Sequence, residues 1–128
     1  LAKKKNNLEI LTKGLSDSDP VIRYWSVIGL LRLEEKASSA IAELKKVLND
    51  KYEIPPFAAW AIYKAGEESF ARDWILRAII KDPKNRVLVN ILDWMGADSF
   101  PVLSMIPEEK LPERGLLKDV VERYKARL

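Results

Sequence analysis

The chemistry open to this chain is bounded first by two absences. It contains no Cys and no His. Thiol nucleophiles, disulfides, Cys/His zinc sites and imidazole acid–base catalysis are therefore excluded. Carboxylates remain. Glu34-Glu35, Glu67-Glu68 and Glu108-Glu109 are adjacent pairs. A glycosidase needs two carboxyls facing each other across a cleft, one kept protonated by an apolar site. Adjacent residues on a helix point apart. These pairs read instead as charges at helix ends, with Glu67-Glu68 and Glu108-Glu109 at N-termini. Asp17-Ser18-Asp19 could open a calcium loop, but the Gly and distant Glu of such a loop are missing. Its expected role is capping. No Gly-rich phosphate loop occurs. The sequence thus predicts no catalytic, metal or cofactor residue.

Elements must position whatever surface chemistry is left. The apolar spacing is helical along the chain. Leu8, Leu11 and Leu15 mark a first helix. Pro20, with Asp19 as N-cap, opens a second helix over 21–33. A third runs from Ser38 or Ser39 to Leu48, and a fourth over 55–65 with Gly66 as its C-cap. A fifth spans 68–80, and Asp82-Pro83 breaks it. A sixth spans 85–95 and closes at Gly96. A short helix over 101–105 precedes Pro107 and Pro112, and a last helix covers 113–127, its apolar stripe ending at Leu128. No strand is predicted.

Length and composition agree with this pattern. The chain has 128 residues, 48% hydrophobic and 32% charged, with five Gly and seven Pro. That composition suits one soluble globular domain over 1–128. Net charge is only +3. Lys3, Lys4 and Lys5 read as a solvated end rather than a nucleic-acid arm. No apolar stretch is long enough to cross a membrane. Leu1 reads as the cut end of a larger protein. A cysteine-free chain suits cytosol and periplasm equally.

The helix breaks at Asp17, Asp50 and Asp82 recur about every 33 residues. A fixed period of this size signals stacked helical hairpins. A single hairpin cannot bury its apolar face alone, so stacking supplies the core. Tetratricopeptide repeats want Trp and Gly-Tyr in the first helix, and ankyrin repeats want Thr-Pro-Leu-His. Here Trp25, Trp60 and Trp94 lie in second helices. Asp19-Pro20-Val21-Ile22-Arg23, followed by small Ser26 and Gly29, fits the HEAT/armadillo style. Ile54, Ala58, Ala59, Ala61 and Gly66 fit again without the Arg. The expected fold is an all-α superhelix of such hairpins, about three pairs plus a C-terminal helix.

Three stretches carry a more specific resemblance. They are residues 19–30, residues 57–66 and residues 89–96, with Arg23-Tyr24-Trp25 and Asn90-Ile91-Leu92-Asp93 the most distinctive. Together they resemble the HEAT-like C-terminal region of some bacterial sulfatases of the arylsulfatase or N-sulfoglucosamine sulfohydrolase-like group. Pro55-Pro56 departs from that pattern, which favours Val-Arg there. The sulfatase nucleophile motif, Cys/Ser-x-Pro-x-Arg, is absent. The resemblance therefore implies a non-catalytic appendage to a hydrolase, in a periplasmic or exported setting.

Arg23 is expected to form a salt bridge with Asp17 or Asp50. The alternative is contact with a ligand. Trp25 is expected in the core, as is Trp74. Trp60 and Trp94 stand between core and surface. If exposed, they would form a stripe with Tyr63, Asn90 and Asp93. The candidate partner surface is thus Arg23, Tyr24, Trp25, Trp60, Tyr63, Asn90, Asp93 and Trp94. The expected partner is protein, either the chain's own catalytic domain or another subunit. The alternative is a sulfated glycan. Nucleic acid is disfavoured by Glu67, Asp73 and Asp93 near the candidate face.

Overall fold

The structure is a computed structural model that describes residues 2–127, with side chains from Asn7 onward. Leu1, Leu128 and the Lys3, Lys4 and Lys5 side chains lie outside the described residues. The protein is all-α, and no strand occurs among the described residues. The α-helices are α1 (Ala2–Gly14), α2 (Pro20–Leu33), α3 (Ile41–Lys46), α4 (Ile54–Ala65), α5 (Glu68–Lys81), α6 (Arg86–Met95), α7 (Phe100–Leu103) and α8 (Leu116–Lys125). No described helix is long and apolar enough to cross a membrane. The chain divides into two compact units, Leu1–Ala71 and Arg72–Leu128, and the boundary falls inside α5.

In the first unit α4 is the central helix. It packs on α2, on α3 and on the 3-10 turns flanking α3. Ala58, Ala59, Ala61 and Ile62 are fully buried, and Tyr63 and Ala65 nearly so. A helix apolar on most of its circumference belongs inside a unit. The alanines let neighbouring backbones come close without a cavity. The same device joins α1 to α2. A Cβ on Gly29 would meet Leu11 Cδ2 at 2.6 Å, and one on Gly14 would collide with the Ser26 hydroxyl. Ser26 is buried and donates to Ile22 O at 2.7 Å.

In the second unit α6 packs on α8. Leu88, Val89, Ile91, Leu92 and Met95 form the buried stripe of α6; Leu117, Val120, Val121 and Tyr124 form that of α8. The Tyr124 hydroxyl donates to Asp93 O at 3.0 Å. The Phe100 and Tyr124 rings meet edge to face at 4.9 Å.

The breaks expected at Asp17, Asp50 and Asp82 are the turns preceding α2, α4 and α6. Asp17 Oδ1 accepts from Asp19 N at 2.8 Å, and Asp19 Oδ1 accepts from Val21 N at 2.9 Å. The Asp cluster therefore caps. Asn85 caps α6 through Leu88 N at 3.1 Å. Gly66 and Gly96 close their helices at φ 124° and 61°.

Two expectations need correction. The third helix is α-helical only over Ile41–Lys46; Glu34–Ala40 and Val47–Asn49 are 3-10 turns. The chain re-enters helix straight after the Glu34 break, and Ala37 and Ala40 are both fully buried. Three residues per turn stack positions i and i+3 on one line, so the tighter helix buries both alanines. The last helix starts at Leu116, three residues later than expected, because Gly115 sits at φ 121°.

Glu34 stops α2 at φ 53°, ψ −127°, almost the conformation of Gly96 at φ 61°, ψ −130°. A side chain there is strained. Glu34→Gly should therefore stabilise the protein by about 1 kcal/mol. Leu44→Ala, emptying a fully buried site, should cost about 2–5 kcal/mol. Urea unfolding followed by far-UV circular dichroism measures both; a Glu34→Gly variant less stable than the parent contradicts the strain.

Candidate functional site

Asp19 and Pro20 start α2, and the first turns of that helix place Pro20, Val21, Tyr24 and Trp25 along one edge. Residues 52–54, just before and at the start of α4, stand opposite. Between them lies an open groove of about 630 Å3 lined by Pro20, Val21, Tyr24, Trp25, Tyr52, Glu53 and Ile54. All seven belong to the first unit. The Tyr24 ring is pinned edge to face by Trp25 at 5.3 Å and by Phe57 of α4 at 5.6 Å. Trp25 is 60% exposed and Tyr52 is 74% exposed. Tyr52 also holds φ 63°, in the left-handed region. A bulky residue there is an outlier, and such strain clusters at functional sites.

Arg23, on the adjacent side of α2, fixes the opposite wall. Its Nε donates to Asp50 Oδ2 at 2.6 Å and its Nη2 to Asp50 Oδ1 at 3.1 Å. Its Nη1 donates to Asp17 O at 2.9 Å and Ser18 O at 3.1 Å. One guanidinium thus clamps the turn before α2 to the turn before α4. Asp50 Oδ1 also accepts from Lys51 N at 2.7 Å, which orients the chain entering Tyr52. The Arg23 hydrogen bonds hold the Asp50 carboxyl below the usual carboxylate range, and the Lys51 N–H adds to this against the opposing effect of burial. Hydrogen bonding to the same carboxylate raises the Arg23 pKa further above its already high value.

The expected surface residues are therefore distributed unevenly. Tyr24 and Trp25 share the groove. Trp25 is not in the core; α2 buries Ser26, Val27 and Leu30, and Trp25 lies off that stripe. Arg23 is held structurally, by Asp50 as a side chain and by Asp17 through its carbonyl. Trp60 is half-buried and Tyr63 is 7% exposed, so Tyr63 contributes nothing to an open stripe. Asn90, Asp93 and Trp94 lie on α6 in the second unit. Trp94 is 56% exposed. Asp93 is tied to α8, accepting from Arg123 Nη1 at 2.8 Å. Trp74 is half-buried.

Tyr52, Glu53 and Val21 were not anticipated in the sequence. Their signal was present: Asp50-Lys51-Tyr52-Glu53 is a turn segment ahead of Pro55-Pro56, and an aromatic ring in a short surface turn has little core within reach. The paired glutamates serve locally. Glu67 pairs with Lys45 at 2.6 Å, and Lys45 Nζ also sits 4.2 Å from the Phe70 ring centre. Glu68 lies in the first turn of α5.

Asp50 is held as a carboxylate, so its stabilising contribution is complete above the ordinary carboxylate pKa of about 4. It is lost as pH falls through the lowered native value. Asp50→Asn should therefore lower the melting temperature at pH 7 and remove part of the acid sensitivity below about pH 4. Arg23→Lys should also lower the melting temperature, since an ammonium cannot make the two-pronged contact. Calorimetry from pH 2 to 7 reads each; equal melting temperatures for parent and Asp50→Asn at pH 7 contradict the clamp.

No protein-family model, curated protein or solved structure matches the chain.

Proposed function

We propose that this chain is a non-catalytic helical-repeat interaction module that docks on a protein partner through the Trp25–Tyr52 groove. The carrying observation is a pair of large aromatic side chains left mostly in water at the mouth of an apolar groove, 60% exposed for Trp25 and 74% for Tyr52. Exposed Trp and Tyr beside a pocket are the residues that dominate binding energy at protein interfaces. Val21 and Ile22 extend the apolar surface along the start of α2. An apolar patch of this kind marks an interaction site.

The partner in this reading is a sulfatase catalytic domain to which the module is appended, in a periplasmic or exported setting. Its support is the resemblance of Arg23-Tyr24-Trp25, and two of those three residues line the groove. A sulfated glycan is the weaker occupant. The rings could stack on sugar, but among the described residues Glu53 is the only charged one lining the groove, and it repels sulfate. Arg23, the nearest expected anion ligand, is already engaged by Asp50 and two carbonyls. Nucleic acid finds no basic lining there.

Calorimetric titration against a panel of bacterial arylsulfatase-type catalytic domains tests this reading. Binding is expected for at least one domain, and Trp25→Ala should weaken it by about 2 kcal/mol or more. No binding across the panel, or binding indifferent to Trp25→Ala, contradicts it. A change of tryptophan fluorescence with sulfated glycans and none with sulfatase domains would favour the glycan module instead.

A further inference from the structure

The geometry points to one class of occupant for this groove: an extended, proline-containing peptide segment that carries a basic residue beside its prolines. The inference rests on the docking reading and names what docks. Three observations converge on it.

The first is the form of the walls. One is the start of α2 and the other is the turn at residues 52–54. Among the described residues neither presents a strand edge, so an incoming peptide cannot be added as a strand. Aromatic rings form the sides: Tyr24, Trp25 and Tyr52. Ring-sided grooves accept polyproline II segments, whose pyrrolidine rings lie flat against aromatic faces and whose backbone is already ordered.

The second is the hydrogen-bonding capacity. Neither the Tyr52 hydroxyl nor the Trp25 indole N–H makes a hydrogen bond among the described residues. A helical ligand satisfies its own carbonyls and gives these two donors nothing to bind. A polyproline II segment has no internal hydrogen bonds and exposes its carbonyls. Donors on rings that flank the groove match that need.

The third is charge. Glu53 is exposed, and the remaining six lining residues are uncharged. A single carboxylate at the rim of an apolar groove selects a cation on the ligand and fixes the direction in which the ligand lies. The groove, about 630 Å3 and open to solvent, has room for a short segment that a partner presents. Tyr52 keeps φ 63° next to Lys51, whose N–H donates to the Asp50 carboxylate.

The test is calorimetric titration of the whole chain with three synthetic decapeptides: proline-rich with a terminal Arg, the same with a terminal Glu, and a Gly-Ser control. The Arg peptide should bind about tenfold more tightly than the Glu peptide, and the Gly-Ser control should not bind. Glu53→Lys should invert the order of the two proline peptides. That inversion cannot come from unfolding, since the variant must still bind. Tyr52→Ala should weaken both by about tenfold or more. Failure of all three peptides to bind overturns the inference, as does an Arg–Glu preference unchanged by Glu53→Lys. If the peptides fail while a sulfatase domain still binds through Trp25, docking stands and the peptide assignment falls. If the Arg peptide binds and no sulfatase domain does, the peptide assignment stands and the sulfatase partner falls.

Discussion

Arg23 makes four hydrogen bonds, two to the Asp50 carboxylate and two to the carbonyls of Asp17 and Ser18. A guanidinium suits this task because its donors are fixed in one plane and stay protonated. The two turns it joins are far apart in sequence but each immediately precedes a helix of the first unit. The groove between Trp25 and Tyr52 exists because those turns are held at a set distance. Without the clamp, α2 and α4 would still bury their alanine and leucine faces. The segment carrying Tyr52 and Glu53 would lose its only ionic tether among the described residues.

Packing and clamp divide the work. Close approach of α1 to α2 depends on Gly14 and Gly29, and the interior position of α4 depends on its run of small residues. The buried stripe of α2 is Ser26, Val27 and Leu30, and Trp25 lies off it. Tyr52 stands in the turn before α4, so both rings are left at the periphery. Exposed rings beside an apolar groove are the form that interaction surfaces take. In the second unit an analogous tether joins Asp93 to Arg123 and Tyr124, again linking one helix to another through a carboxylate and a carbonyl.

Much of this architecture was legible in the residues. Asp19, Asn85, Gly66 and Gly96 are capping residues whose chemistry acts within one helical turn, so local sequence suffices to place helix ends. The pairing of Arg23 with an Asp at a turn was legible too, because an Arg beside a recurring Asp has few other partners. The 3-10 stretch at Glu34–Ala40 was not. It follows the break at Glu34, and alanine and serine spacing does not separate a 3-10 from an α-helical turn. Glu34 was equally hidden, since a non-glycine residue gives no sign that it adopts a glycine-like conformation. The exposure of Trp25 was hidden for a related reason: indole bulk suggests core, while the buried stripe of α2 runs through Ser26, Val27 and Leu30. Tyr52 and Glu53 lie between helices and escaped a reading organised by helix faces.

The Arg23–Asp50 clamp holds the Tyr52 wall of the groove in place. Amide hydrogen exchange on the parent chain and on Arg23→Gln, read peptide by peptide, tests it most directly. Exchange should rise across residues 51–54 and the first turn of α2 while α6 and α8 keep their parent rates. Unchanged exchange at residues 51–54, or an equal rise along the whole chain, would contradict the claim.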